Sequence, residues 1–380
     1  MKKIILLLMM FLLPIQVMGK EEELIPHATT GILMDVDSGE ILFDKDKDHP
    51  VSVASMTKMV AQMIILEEVE KKHIKWTDVV TVSKNASEMG GSQIYLEENE
   101  KMSVLDLMKG ISVASANDAT LAMAEYISGT EGKFVKKMNQ KVKELGLKNT
   151  HFSNCTGLDE ENHYSTSYDM ALVARDLILN HPKILEFSSI YEDYLRQDQE
   201  EKFWLVNTNK LVRLYEGVDG LKTGHTDDAG YCMAVTAKKN GLRVIGVVTG
   251  EESAKVRNQE VMDLLDYAYS HFQVKKVVSK RKKLGKIKVL KGKKDTISIG
   301  LVEDAYVLET SKDHKSYHYQ IHIPDFIEAP ITKKAPIGTL EISSHNKVIK
   351  KVGIVVKEDV LKANIWDIFK KSLLMPLTGK

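Results

Sequence analysis

Ser55 and Lys58 stand three residues apart in Ser55-Met56-Thr57-Lys58, the spacing that puts two side chains one turn apart on the same face of a helix. A serine hydroxyl is a poor nucleophile toward a carbonyl unless a base takes its proton during attack. Lys58 can be that base only if its ammonium gives up its proton near neutral pH. Burial, a second cation nearby and a helix N-terminus all push in that direction. Taken alone, Ser55 reads equally well as a helix cap and Lys58 as a surface residue. Two further strings change the balance: Ser115-Ala116-Asn117 and Lys222-Thr223-Gly224. Ser115 could relay a proton to a leaving amine and the Asn117 amide could hold a substrate backbone, the alternative being that both cap the following helix. Lys222 is the expected second cation. Gly224 would let a substrate backbone approach a strand closely, as in strand addition.

The three strings occur in the order of the S-x-x-K, S-x-N and K-T-G elements of penicillin-recognising serine acyltransferases. The surrounding residues extend the match. Val218-Asp219-Gly220-Leu221-Lys222-Thr223-Gly224-His225-Thr226, followed by Ala229-Gly230-Tyr231-Cys232, resembles the low-molecular-mass penicillin-binding proteins that are serine-type D-alanyl-D-alanine carboxypeptidases. Gly91 to Leu96, His163 to Thr166 with Asp169-Met170-Ala171, and Asn207 to Leu211 are similar to the same family. The resemblance covers nearly the whole chain after its N-terminal apolar segment.

That resemblance implies an activity: removal of the terminal D-Ala from peptidoglycan stem peptides through an acyl-enzyme on Ser55, with β-lactam antibiotics entering the same path. It also implies roles. Lys58, Ser115, Asn117 and Lys222 would complete the catalytic set, with Lys222, Thr223 and Thr226 offered to the substrate's terminal carboxylate. The backbone N–H groups of Ser55 and His225 would form an oxyanion hole beside Gly224, and Arg257 aligns with an arginine that helps hold the carboxylate. The first rival is a class A-like β-lactamase, which adds a glutamate for deacylation. Ala116 stands where those enzymes have Asp, no matching glutamate loop is identifiable, and extra β structure follows. The second rival, a non-catalytic cell-wall-binding protein on the same fold, is opposed by intact Ser55, Lys58 and Lys222.

The elements that must position these residues are legible as patterns. Thr29 to Asp35, a turn at Asp37-Ser38-Gly39, and Glu40 to Phe43 read as one hairpin. Gly230 to Ala237, a turn at Lys239-Asn240-Gly241, and Leu242 to Thr249 read as another, with Asn-Gly supplying the turn. Between them the periodicity is helical. Met56 to Lys72 is apolar on nearly all sides through Ile65, which predicts a helix buried inside a domain. Ser115-Ala116-Asn117 falls between helical runs at Val104 to Ile111 and Asp118 to Ile127 and is expected on a loop, as are Gly90-Gly91 and Asn154 to Asn162. The fold class expected is α+β, an antiparallel sheet with helices on its faces. From Lys275 the chain becomes rich in Lys and Arg and then alternates apolar and polar residues up to Val356, which predicts a separate small all-β domain. Its basic stretch reads first as solvated strand faces, and otherwise as a site for anionic wall polymers or headgroups.

The ends and the composition set the compartment. Lys2 and Lys3, an apolar run from Ile4 to Leu13, and Val17 and Gly19 before Lys20 read as a secretory signal over residues 1–19. The expected division is then 20–274 for the acyltransferase, 275–356 for the β domain and 357–380 for a tail. In that tail Leu361, Ile365, Ile368 and Phe369 recur at helical spacing. This predicts an amphipathic helix from Val360 to Met375 that attaches the protein to an anionic membrane surface, outside the cytoplasm; the alternative is docking on the protein's own surface. The 53 basic and 53 acidic residues balance, so no global field points to nucleic acid. The two cysteines, Cys155 and Cys232, are expected as buried free thiols, although an oxidising compartment would permit a bridge. The histidines show no metal-ligand spacing and no Gly-rich phosphate loop is present, so neither metal nor cofactor is expected.

Overall fold

In the computed structural model, which describes residues 24–197, 200–311, 316–345, 347–367 and 369, the first and last thirds of the catalytic portion share one sheet. The segment expected as a signal, 1–19, lies outside the described residues. Strands β1 (Thr30–Asp35) and β2 (Ile41–Lys45) form the N-terminal hairpin. Strands β3 (Val218–Thr226), β4 (Gly230–Lys239) and β5 (Leu242–Glu251) come from late in the chain, and the antiparallel order is β2-β1-β5-β4-β3. Asn240 and Gly241 both take positive φ, 51° and 88°, as the two-residue turn between β4 and β5 requires. The strand carrying Lys222-Thr223-Gly224 therefore lies at an edge.

Period-two alternation gives the sheet two buried faces. Ile32, Met34, Ala234, Ile245 and Val247 point into one core, which they share with helix α1 (Lys58–Glu70), helix α2 (Asn117–Ser128) and helix α4 (Ser167–Asn180), while helix α3 (Glu131–Glu144) packs on α1 and α2. Leu33, Met233, Val235, Val244 and Val248 point the other way, against helix α5 (Ala254–His271). Helix α1 is the centre of the larger core, every residue from Lys58 to Leu66 being buried. A helix apolar all round has no exposed face to offer, as its sequence predicts.

Strand β6 (Phe272–Val278) continues directly from α5 and pairs with β9 (Ala305–Thr310). The remaining strands are β7 (Gly285–Leu290), β8 (Thr296–Leu301), β10 (His318–His322), β11 (Phe326–Glu328), β12 (Pro336–Ser344) and β13 (Lys347–Val356). They form a sheet ordered β10-β12-β13-β8-β7-β11 over its own apolar core. The basic run falls partly on β7, where Lys286 and Lys288 are exposed between buried Ile287 and Val289. The chain does not leave this unit at Val356: Val360 is buried and pairs with Ile331, and Lys362 pairs with Gly292. Helix begins at Ile365. Leu361, Ile365, Trp366 and Phe369 are 63, 83, 73 and 56% exposed. Ile368 and residues 370–380, which include the end of the expected amphipathic helix, lie outside the described residues.

Candidate active site

A tight 3-10 turn, Ala54–Thr57, leads into α1 and carries Ser55 at its start. Ala54 sits at φ 45°, a left-handed conformation that holds the turn hard against its neighbours. Two glycines make room for it. A Cβ at Gly157 would lie 1.9 Å from the Ala54 carbonyl oxygen. At Gly224 it would lie 2.9 Å from the Val53 carbonyl oxygen and 3.1 Å from the Ser55 nitrogen. The edge strand therefore runs directly past the Ser55 backbone. Beneath the turn, Thr57 Oγ1 lies 2.8 Å from Nε2 of buried His163, whose ring burial drives down to about 4 and so keeps neutral.

Lys58 Nζ donates to Ser55 Oγ at 2.7 Å and to the Thr156 carbonyl at 2.7 Å. It is wholly buried, and burial drives it down to about 7 against small opposing effects of Cys155 and Asp118. Lys222, 1% exposed, donates to Ser115 Oγ at 2.8 Å and to its neighbour's carbonyl, Thr223 O, at 3.0 Å. Its proton affinity falls well below that of an ordinary lysine, through burial first, then Lys58, then Arg257. Lys58 and Lys222 therefore act on one another as neighbouring cations.

Ser115 follows a π-helical turn, Gly110–Ala114, and takes the left-handed conformation at φ 62°. Asn117 is not in the loop expected for it: it is the first residue of α2. Its Nδ2 donates to the Gly90 carbonyl at 2.7 Å and its buried Oδ1 accepts no hydrogen bond among the described residues. A neighbouring carboxylate, Asp118, accepts from the backbone N–H groups of Ile94, Leu96 and Ala119 and ties the Gly91 to Leu96 segment to α2. Thr223 Oγ1 donates to Thr208 Oγ1 at 2.7 Å, and Thr226 Oγ1 to Asp159 Oδ1 at 2.6 Å. His225 is exposed and its ring lies 4.0 Å from that of Tyr231. Arg257, in the first turn of α5, is 5% exposed and donates to Asn258 Oδ1.

The structure brings Ser55, Lys58, Ser115, Asn117, Lys222, Thr223 and Gly224 to one place, with Arg257 close enough for its charge to act on Lys222. Sequence reading missed the supports: the Thr156 carbonyl, Thr208, Asp118, Asp159 and His163. Asp118 opened an expected helical run, and the only signal of the others was membership of segments expected as loops or quoted for their family likeness. Cys155 and Cys232 are both buried and free, and burial raises both thiols. Among the described residues, no group of three His, Cys, Asp or Glu could hold a metal ion. The arrangement suits acyl transfer: a hydroxyl with a base on it, a second hydroxyl with a lysine on it, and an edge strand alongside.

Residues 18–253 match the D-alanyl-D-alanine carboxypeptidase family, and residues 272–362 match the C-terminal domain of penicillin-binding protein 5. The chain is 43% identical over 355 residues to the D-alanyl-D-alanine carboxypeptidase DacF of Bacillus subtilis, covering 93% of this chain and 91% of that one. Among solved structures, penicillin-binding protein 5 from Haemophilus influenzae is 32% identical with a TM-score of 0.69, covering 88% of this chain and 98% of the other. Penicillin-binding protein D2 from Listeria monocytogenes, in its ampicillin-bound form, is 30% identical with a TM-score of 0.58, covering 64% of this chain and 98% of the other.

Proposed function

The chain belongs to the D-alanyl-D-alanine carboxypeptidase family and is a serine-type D-Ala-D-Ala carboxypeptidase, and from that premise we propose that Ser55 is its nucleophile and Lys58 the base that activates it. The observation that carries this assignment is the 2.7 Å contact between Lys58 Nζ and Ser55 Oγ, made by a lysine that burial has brought to about 7. A neutral amine accepts the Ser55 proton as Oγ attacks the penultimate D-Ala carbonyl. The developing oxyanion lies between the Ser55 and His225 backbone N–H groups, donors that matter most in the transition state. Ser115, hydrogen-bonded to Lys222, passes a proton to the departing D-Ala amine. Asn117 Oδ1, without a partner among the described residues, accepts from the substrate backbone. Water then releases the stem peptide from Ser55.

Lys222, Thr223, Thr226 and Arg257 are proposed to hold the terminal carboxylate, whose arrival restores the charge that burial removes from Lys222. A β-lactam presents a carboxylate and an acyl carbon in the same relation. The ampicillin-bound Listeria structure supports acylation of this chain by the same route. Labelling with a fluorescent penicillin and mapping the adduct tests the assignment: Ser55 is the residue expected, and an adduct on Ser115 would overturn it. Neither a β-lactamase nor a non-catalytic wall protein is favoured by these relatives.

Peptidoglycan lies outside the cytoplasm, and the enzyme works there. Attachment to the outer face of the membrane, after export by residues 1–19, is proposed on the exposure of Leu361, Ile365, Trp366 and Phe369. Apolar groups left uncovered by the protein, with Lys291, Lys293, Lys294 and Lys362 around them, suit an anionic interface. No helix among the described residues is long and apolar enough to cross a membrane.

A further inference from the structure

Three segments of the cleft end on one carboxylate. Asp159, exposed on the loop from Asn154 to Asn162, accepts at Oδ1 from Thr226 Oγ1 at 2.6 Å and from Ser52 Oγ at 3.2 Å. Its Oδ2 accepts from the Asp228 backbone N–H at 3.5 Å. Thr226 is the last residue of β3, two beyond Gly224, and its hydroxyl also accepts from the Ala229 N–H at 3.1 Å. Ser52 lies three residues before Ser55. The loop is held from within: Asn154 Oδ1 accepts from the Gly157 N–H at 2.7 Å, and Asn154 Nδ2 donates to the Leu158 carbonyl and to Glu160 at 2.9 Å. Its near end is fixed to the nucleophile, since the Thr156 carbonyl accepts from Lys58 and Gly157 sits against the Ala54 carbonyl. Asp159 is thus the far end of a short, tied piece of chain whose near end supports Lys58.

His225 stands between two fixed points on β3. On one side Gly224 passes so close to the Ser55 nitrogen that a Cβ would lie 3.1 Å from it; on the other, Thr226 is tied to Asp159. The two N–H groups assigned to the oxyanion hole therefore belong to segments that Asp159 joins, β3 through Thr226 and the Ser55 turn through Ser52. Such donors help an oxyanion only if they are already in place, and a misplacement of about 1 Å can cost 10²-fold. We propose that Asp159 is a positioning residue for this hole, setting the separation of the His225 and Ser55 N–H groups by holding both segments to one carboxylate. This rests on the reading of those two groups as the oxyanion donors. A hydroxyl has one proton, so a Thr226 that holds Asp159 does not at the same moment donate to the substrate's terminal carboxylate. The two duties leave different kinetic marks: losing a carboxylate contact raises KM, whereas loosening the oxyanion hole lowers kcat.

The test measures kcat and KM for release of D-Ala from an N-acylated peptide ending in D-Ala-D-Ala, and inhibition by a boronic acid analogue of that peptide, in the wild type, Asp159→Ala, Asp159→Asn and Gly224→Ala. The boronate forms a tetrahedral adduct with an oxygen in the oxyanion position, so its affinity reads the hole without turnover. Asp159→Ala is expected to lower kcat about tenfold or more and boronate affinity by a similar factor, with KM within about twofold of wild type. Asparagine keeps an oxygen acceptor for Thr226 and Ser52, and is expected to bring both readouts back to within about threefold. A raised KM with kcat unchanged in Asp159→Ala overturns the proposal, because Asp159 would then serve substrate binding. An asparagine variant as slow as the alanine one also overturns it, because the charge and not the tie would then matter. Asp159→Ala with wild-type kcat and boronate affinity, beside a Gly224→Ala variant that loses both, refutes the role of Asp159 and leaves the oxyanion reading intact. If Gly224→Ala keeps both, the reading of the His225 N–H fails and the proposal falls with it.

Discussion

The sharpest consequence of the buried lysine is a pH profile. An ordinary lysine titrates near 10.5, whereas burial brings Lys58 to about 7. At pH 7 about half of the Lys58 side chains are then neutral, against roughly three in ten thousand for an unperturbed lysine, so burial raises the supply of base about 1,500-fold, a differential of about 5 kcal/mol. The second-order rate of acylation by a fluorescent penicillin, followed by stopped flow from about pH 5 to 9, is expected to rise tenfold per unit and level off near pH 7. Lys58→Arg keeps the cation and loses the base, because a guanidinium does not give up its proton in this range. Its acylation rate is expected to fall by about 10³-fold. The same variant should stay folded, since α1 buries eight other residues from Met59 to Leu66 around this position. A wild-type rate that ignores pH between 5 and 9, or an arginine variant within tenfold of it, would refute the assignment of Lys58 as base.

Stability should titrate in the same direction: Lys58 binds its proton in the unfolded chain but not in the folded one between about 7 and 10.5, so the wild type gains on Lys58→Met as pH rises through that window, by about 1 kcal/mol per unit in denaturant unfolding. Gly224→Ala places a methyl 2.9 Å from the Val53 carbonyl oxygen and 3.1 Å from the Ser55 nitrogen, and is expected to cut kcat/KM about 10²-fold and to lower the melting temperature, because the atoms it meets are backbone. Amidating the substrate's C-terminus and Lys222→Gln remove one shared interaction, so their losses should fall well short of additive in a double-mutant cycle; full additivity would place the carboxylate elsewhere. Truncation after Ala363, which spares the Val360 and Lys362 pairings, should abolish binding to anionic vesicles while leaving activity on a soluble peptide intact. Truncation after Val356 is the wrong experiment, because it strips buried Val360 from the β domain and should destabilise it.

What was legible in the sequence was what short-range physics decides. The Asn240-Gly241 turn, the all-apolar start of α1 and the Lys-Ile-Lys-Val alternation on β7 each follow from a period or a turn preference, and each is in the structure where the sequence puts it. The three motif strings could be collected into one site only through their family likeness, because nothing in a single chain says that residues 55, 115 and 222 meet. The supports were illegible for the same reason. Thr156 lies 98 residues from Lys58 along the chain, and Asp159 lies 67 from Thr226. A backbone carbonyl leaves no trace in a sequence at all. The π turn before Ser115 was missed differently: Val104 to Ile111 has a continuous helical pattern, and the extra residue is accommodated by Ser115 crossing to the left-handed region.

The two lysines show how surroundings, and not residue type or burial depth, distinguish two equally buried ammonium groups. Both are nearly inaccessible, both touch a serine hydroxyl, and one cannot stay charged comfortably beside the other. Burial first, and then the charges of Lys58 and Arg257, lower the proton affinity of Lys222. A C-terminal carboxylate reverses the balance on that side of the cleft alone. In the proposed reaction Lys222 then regains its proton and holds the anion, while Lys58, facing Ser55, supplies the amine for the attack. An uncharged C-terminus would leave Lys222 neutral and the carboxylate subsite empty. On the proposed role of Lys222, selectivity for a free terminal carboxylate is expected to follow from the charge that the carboxylate restores to it.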